Sequence, residues 1–279
     1  MSIAFTKMHG LGNDILILDL IREPSAAALL QADRVRQLAN RKTGIGFDQL
    51  MVIEPASDDR FVAAYRVFNA DGTSAEQCGN GVRCVARYLA ESHGVNPAMH
   101  LAGPVGEIEC DVLSDGQVRV SMGIPRFEPA ALPFDAGAQP GPVYSLDITT
   151  GPAMFSVVSV GNPHVVLQVD ELASAPVASI GAAFNQHPAF RDGVNVGFAR
   201  IEARDSIALR VFERGTGETL ACGSGACAAM VALRRREQVA DSVQVALPGG
   251  SLVISWRASL EPIYMTGPAT LVYEGNLKL

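Results

Sequence analysis

The chain has 279 residues, 48% of them apolar, with 29 acidic against 22 basic side chains and a formal charge of −7. That length predicts two domains, and the acidic balance argues against nucleic acid or an anionic membrane as the main partner while leaving room for a local cationic site. No run approaches the roughly 20 apolar residues that span a bilayer, and residues 1–10 hold Lys7 and His9 without an apolar stretch of signal-peptide length, so a cytoplasmic location is expected.

The first apolar run, Ile15-Leu16-Ile17-Leu18, follows Gly12-Asn13 and closes at Asp19. A short helix is predicted over Asp33–Ala39. β-Like runs follow at Gln49–Ile53 and Arg60–Phe68, with the turn signal Asp71-Gly72 behind them. A helix over Val82–Ser92 is apolar on more than one face, which places it inside a core. Strands are predicted over Gly106–Leu113 and Gln117–Met122, separated by Asp115-Gly116. Residues 123–142 hold five of the chain's 16 prolines, a density that neither a helix nor a central strand accommodates, and the domain linker is placed there. Beyond it, β-like runs recur at Val143–Thr149, Ala153–Val160, His164–Val169 and Ile207–Phe212. After a helix over Ala226–Glu237 come further runs at Ser242–Leu247, Ser251–Trp256 and Pro268–Tyr273.

The two halves repeat. Arg66-Val67-Phe68-Asn69 leads through Asp71-Gly72-Thr73 to Cys78-Gly79-Asn80-Gly81, and Arg210-Val211-Phe212-Glu213 leads through Gly215-Thr216-Gly217 to Cys222-Gly223-Ser224-Gly225, at one constant offset of 144 residues. Upstream, Gly12-Asn13 and Gly161-Asn162 precede matching apolar runs at an offset of 149. Either match alone can arise by chance; both in the same order indicate a duplicated half. The expected fold class is α+β, with two pseudo-symmetric lobes, each a β-barrel-like mixed sheet wrapped around a central helix. The expected lobes are residues 1–123, carrying Cys78 and completed by a C-terminal strand over 268–279, and residues 124–267, carrying Cys222.

Each repeated cysteine opens a helix. A helix N-terminus presents unpaired N–H groups and partial positive charge, which favours thiolate and is expected to lower a cysteine pKa from its unperturbed value of ~8.5. Flanking glycines let the backbone approach a bound anion. Alone, such a loop is more often a structural turn; its recurrence in both halves points to a reaction with two faces. Inversion at a carbon centre is such a reaction, since one base removes a proton from one face and a conjugate acid delivers another to the opposite face. The other cysteines, Cys84, Cys110 and Cys227, read as small buried hydrophobes. With no export signal and no Cys-x-x-Cys pair, all five are expected to be reduced, with no metal site. Only Lys7, Lys42 and Lys278 are available for a Schiff base, which argues against pyridoxal phosphate. Arg234-Arg235-Arg236 reads as a solvated helix end that complements the macrodipole.

At these residues the sequence resembles the diaminopimelate epimerase family. The shared motifs run nearly end to end: Lys7 through Asp14, Gly46-Phe47-Asp48-Gln49, Phe68 through Gly72, Cys78-Gly79-Asn80-Gly81, Gly161-Asn162-Pro163-His164, Asn195, Glu213-Arg214-Gly215 and Ala221 through Gly225. The resemblance implies interconversion of LL- and meso-2,6-diaminopimelate, no cofactor, substrate between two similar lobes, and a homodimer. It implies Cys78 and Cys222 as the acid/base pair, and substrate contacts from Asn13, Gln49, Asn69, Gly79, Asn80, Asn162, Asn195, Glu213, Arg214, Gly223 and Ser224. Arg214 can clamp a carboxylate, the neutral amides can serve carboxylate or ammonium, Glu213 can anchor an ammonium group, and His164 and Glu213 can assist the proton balance of a thiol.

Read without the resemblance, an Asn in a Gly-Asn turn is usually structural, Glu213-Arg214 can be a surface ion pair, and His164 can be a core histidine. Three other activities stay open on the residues: a proline-type racemase with paired cysteines, a thiol hydrolase or thiol redox protein, and a non-catalytic amino-acid-binding module.

Overall fold

The strand-rich, two-lobed reading holds in a computed structural model, which describes residues 2–76, 78–137, 139 and 141–278. The chain divides into two compact units, Met1–Ser121 with Thr266–Leu279, and Met122–Met265. Among the described residues, no helix is long and apolar enough to cross a membrane.

In the first unit, strands Ser2–Gly10 and Asn13–Asp19 form an antiparallel hairpin. Its two-residue turn, Leu11-Gly12, has positive φ at both positions (56° and 81°), the geometry that matches strand twist in tight hairpins. Asn13–Asp19 runs parallel to Gln49–Glu54, which pairs antiparallel with Ala63–Asn69. Ala63–Asn69 lies parallel to Ala98–Gly103, and a meander through Gly106–Val112 and Val118–Ser121 follows. The C-terminal strand Thr270–Lys278 pairs antiparallel with Ser2–Gly10, so the last residues of the chain complete the first unit. Helix α1 spans Ala32–Ala39 and helix α2 spans Gly79–His93. The sheet curls around α2, which packs against Ser2–Gly10, Asn13–Asp19, Gln49–Glu54, Gly106–Val112 and Val118–Ser121. Because neighbours surround it, α2 buries Val82, Cys84, Val85, Ala86, Tyr88 and Leu89, and also Arg83.

The second unit repeats this order. Gly151–Ser159 and Pro163–Gln168 form a hairpin, Pro163–Gln168 lies parallel to Asn195–Ala203, and Asn195–Ala203 is antiparallel to Ser206–Glu213. Ser206–Glu213 lies parallel to Ser242–Leu247, which turns back into Gly250–Ser255. Helix α3 (Val177–Gln186) takes the place of α1, and helix α4 (Gly223–Arg235) takes the place of α2. Helix α4 is buried from Gly225 through Leu233. Its end behaves as expected of a solvated, basic terminus: Arg234 pairs with Asp241 at 2.5 Å, and the Arg235 guanidinium lies 4.3 Å from the centroid of the Phe127 ring.

Several features differ from expectation, among them strands Ser2–Gly10, Ala98–Gly103 and Asn195–Ala203, which lie outside the predicted runs. Helix α3 was not legible, because its sequence VASIGAAFNQ mixes β-branched residues and glycine without a polar cap. Gly181 there is demanded by packing, since a Cβ would lie 2.2 Å from Cγ of Phe212. The proline-rich segment 123–142, of which Ala138 and Pro140 lie outside the described residues, is more than a tether. Leu132 and Phe134 are buried, and Phe134 stacks on Phe190 with centroids 4.7 Å apart, inside an aromatic core with Tyr144, Phe155 and Phe184. Prolines preclude a strand there, yet apolar side chains between them still enter the core.

Candidate active site

Each unit builds one half-site around a sulfur. Cys78 is the N-cap of α2, with extended backbone (φ −138°, ψ 102°), and its Sγ accepts the N–H of Gly81 at 3.2 Å. Cys222 caps α4 in the same way (φ −123°, ψ 105°), and its Sγ accepts the N–H of Gly225 at 3.4 Å. Serine, threonine or aspartate normally fills this role. Here sulfur takes the place of oxygen, so the thiol is tied to the helix's positive end by the same bond that starts the helix. Glycine three residues on suits the tight packing there. A Cβ at Gly81 would meet Sδ of Met51 at 2.4 Å, and one at Gly225 would meet Val211 at 3.0 Å and the Cys222 sulfur at 3.2 Å. Helix geometry leaves the N–H groups of Gly79 and Asn80, and of Gly223 and Ser224, outside the helix's own hydrogen bonding.

Around Cys78, Sγ donates to Oδ1 of Asn13 at 3.7 Å, and the same oxygen receives Nδ2 of Asn80 at 3.4 Å. Gln49 and Asn69 face each other across adjacent strands, with Nε2 of Gln49 donating to Oδ1 of Asn69 at 3.3 Å. Asn69 in turn donates to the Thr73 hydroxyl at 3.1 Å. The structure thus links Cys78, Asn13 and Asn80 directly, while Gln49 and Asn69 form a separate pair.

Around Cys222, Sγ donates to Oε2 of Glu213 at 3.3 Å and lies 3.6 Å from Oγ of Ser224. The other oxygen of Glu213 accepts the Thr219 hydroxyl at 2.5 Å. The Nε2 atom of His164 lies 3.0 Å from both Oδ1 of Asn162 and Oγ of Ser224. Asn195, paired in register with His164 on the neighbouring parallel strand, accepts the backbone N–H of Arg214 at 3.0 Å and so fixes the turn that carries that arginine. The exposed Arg214 side chain donates to the Asp192 carbonyl at 3.0 Å. Thr219 was missed in the sequence; its signal was a hydroxyl three residues before the cysteine in a strand antiparallel to the one that ends at Glu213.

The electrostatics differ from the helix-terminus expectation. Burial, followed by the negative charge of Glu213, pushes the Cys222 thiol well above the ordinary thiol range, although the bonds from Ser224 and Gly225 pull the other way. The reason is that Cys222 is only 4% exposed and faces a carboxylate, so the dipole at the helix start is outweighed and the thiol holds its proton. Cys84 and Cys110, buried in apolar surroundings, are pushed up to about 12, and Cys227 is fully buried. His164 is also fully buried; desolvation first, then the Arg214 charge, lowers it to about 3, so the ring is neutral at physiological pH.

The same two-unit architecture occurs in solved structures. A probable proline racemase from Agrobacterium radiobacter K84 superposes with a TM-score of 0.70, covering 99% of this chain and 93% of that one at 17% identity, and defines a shared fold. Sequence narrows the class further. The family model for diaminopimelate epimerase matches residues 5–128 and 156–272. The diaminopimelate epimerase of Ectopseudomonas mendocina is 47% identical and that of Stutzerimonas stutzeri 45% identical, each over the full length of both chains. The chain belongs to the diaminopimelate epimerase family.

The buried neutral histidine has a consequence for stability. With a folded pKa of about 3 against an unfolded value near 6.5, the unfolded chain binds the extra proton first as pH falls, so stability is full above about pH 6.5 and is lost toward pH 3. The slope attributable to this one group approaches ~1.4 kcal/mol per pH unit. Urea unfolding from pH 7 to 4 is expected to show a shallower decline for His164→Gln than for the unsubstituted chain; parallel curves would contradict it.

Proposed function

We propose that this chain interconverts LL-2,6- and meso-2,6-diaminopimelate by a two-base thiol mechanism without a cofactor, in lysine and peptidoglycan precursor biosynthesis in the cytoplasm. The observation that carries the reading is the sulfur cap that starts the central helix of each unit, within a chain that matches diaminopimelate epimerases over its full length.

Removing a proton from the α-carbon of an amino acid is the hard step, because the carbanion is far more basic than a thiolate. The reacting head places its α-carboxylate on the N–H groups that open the helices, at Gly79 and Asn80 and at Gly223 and Ser224, where developing enolate-like charge is stabilised. Loss of one preorganised donor of this kind costs ~3–4 kcal/mol elsewhere, so several acting together supply a large part of the required stabilisation. One sulfur, as thiolate, takes the α-proton; the other, as thiol, returns a proton to the opposite face, and the roles exchange in the reverse direction. The raised pKa of Cys222 supports its holding the proton to be delivered, with Glu213 accepting that S–H; once the proton has gone to Cα, Cys222 is the thiolate that takes the α-proton in the reverse direction.

The remaining polar groups divide the work of reading two amino-acid heads. Arg214 clamps a carboxylate, while Asn13, Gln49, Asn69, Asn162 and Asn195 supply amides that discriminate carboxylate from ammonium. Neutral His164 acts as a hydrogen-bonding partner of Asn162 and Ser224 and not as a cationic acid.

A homodimer is part of the same reading. Leu271, Val272 and Tyr273 are 40%, 52% and 43% exposed on one strand, an apolar run of the kind that marks an association surface. Tyr273→Lys should shift the sedimenting species from dimer toward monomer; a monomeric unsubstituted chain would remove the proposal.

For the activity itself, LL-diaminopimelate and L-proline offered side by side should give inversion of the first only. Cys78→Ala and Cys222→Ala should each lower inversion by ~10²–10⁴-fold, the scale of a lost acid–base group. Inversion of proline instead would favour a racemase of that type, and full activity in either variant would exclude the two-base reading, as expected for a hydrolase that needs one thiol.

A further inference from the structure

Among the described residues Arg83 is the largest fully buried side chain, just over one turn beyond Cys78 and flanked by the buried Val82 and Cys84. Its Nε donates to the Pro268 carbonyl at 3.2 Å, Nη1 to the Gly79 carbonyl at 3.4 Å, and Nη2 to Oδ1 of Asn80 at 2.8 Å. From Asn80 the bonds continue: Nδ2 donates to Oδ1 of Asn13 at 3.4 Å, and Nδ2 of Asn13 donates to Oδ2 of Asp48 at 3.4 Å. The same Oδ2 of Asp48 accepts the backbone N–H of Asp14 at 2.9 Å, and Arg41 donates to its other oxygen, Oδ1, at 2.7 Å. All of these residues belong to the first unit.

The direction of this chain follows from chemistry. A guanidinium can only donate, so the amide atom of Asn80 that faces Arg83 must be oxygen, and its NH₂ must face Asn13. A carboxylate can only accept, so the amide atom of Asn13 that faces Asp48 must be nitrogen, and its oxygen must face Asn80. Both ends demand the same orientation of Asn13. Its carbonyl oxygen is therefore the atom presented to the Cys78 sulfur, 3.7 Å away. Space has been kept for the arrangement: a Cβ at Gly10 would lie 3.1 Å from both Nη2 of Arg83 and Cβ of Asn80.

We propose that Arg83 and Asp48 are positioning residues for Cys78, fixing from opposite ends the orientation of the Asn80 and Asn13 amides so that Asn13 turns its acceptor oxygen, and not its NH₂, toward the sulfur. The S–H proton then has one fixed direction, and a two-base cycle needs that whenever Cys78 is the acid. This inference rests on the reading of Cys78 as a working thiol.

Because either end alone suffices to set the orientation, the two ends back each other up, and a double-mutant cycle exposes this. The readout is the pH midpoint of Cys78 alkylation by iodoacetamide in the full-length protein, followed on the Cys78 peptide by mass spectrometry. Arg83→Gln and Asp48→Asn each replace a one-way group with an amide that can donate or accept. Charge effects on the sulfur add to first order and cancel in the cycle. The doubly substituted protein frees Asn13 to turn its NH₂ toward the thiolate, so its midpoint should fall about one pH unit below the sum of the single shifts. Arg83→Lys combined with Asp48→Asn, which restores a donor-only end, should return to simple additivity. Should Arg83→Gln fail to fold, Asn80→Asp takes its place in the cycle, since it keeps an acceptor facing Arg83 while offering Asn13 no donor. Additive midpoints in the Gln or Asp cycle, or an equal coupling with Arg83→Lys, would overturn the proposal. Epimerisation by the unsubstituted protein is read separately. Coupling without inversion would remove the proposed function and keep the positioning role, and inversion without coupling would do the reverse.

Discussion

A helix that begins at a sulfur atom couples folding to reactivity, and the rest of the structure follows from having two such helices. The first turn of any helix needs an acceptor for its exposed N–H groups, and in α2 and α4 that acceptor is the thiol of Cys78 or Cys222. To hold the sulfur there, the helix must be surrounded by its sheet. This explains why both helices are buried on nearly all sides over their first turns and why Gly81 and Gly225 carry no side chain against Met51 and Val211. The N–H groups left over at Gly79, Asn80, Gly223 and Ser224 are the donors proposed above to receive the substrate carboxylate. One local capping bond thus accounts for the buried helix and the glycines, and underlies the anion-binding role proposed for each half-site.

The duplication is faithful in topology and unequal in chemistry. Cys222 is almost fully buried and bonded to a carboxylate that is itself steadied by Thr219, and both burial and charge keep its proton in place. Cys78 is half-buried and bonded to a neutral amide whose orientation is fixed by more distant charged groups. A reaction that runs in both directions between two stereoisomers needs two groups able to trade roles, but the isomers are not mirror images across the whole substrate. Two half-sites with the same backbone and different partners meet that need. The neutral, buried His164 fits the same pattern, because in the second half-site it bonds Ser224, the residue next to the helix start, without adding a positive charge beside the thiol.

Much of this was legible in the sequence because it is local. Cys-Gly-x-Gly after a strand and a glycine turn announces a capped helix, and its recurrence at constant spacing announces a repeated unit. The run Val82, Cys84, Val85, Ala86, Leu89 announces a central helix. What was not legible depends on distant partners. The direction of the Cys222 pKa is set by Glu213 and by burial, which outweigh the local helix-terminus effect that sequence alone can see. Arg83 was passed over because one arginine among several charged residues of a helix has no meaning until Asn80 and the Pro268 carbonyl are placed beside it. Helix α3 lacked a polar cap, and the buried Leu132 and Phe134 were hidden by the prolines around them.

The central claim, that two different sulfurs serve the two faces of one carbon, is tested most directly by isotope placement. Turnover of protiated LL-diaminopimelate in deuterium oxide is stopped at low conversion, and both stereoisomers are examined for deuterium at Cα. Two thiols predict deuterium in the newly formed isomer and protium in the unreacted one, since the abstracting and delivering sulfurs carry different hydrogens. Retention of the substrate's own hydrogen in the product, as from a single base that serves both faces, would contradict the account.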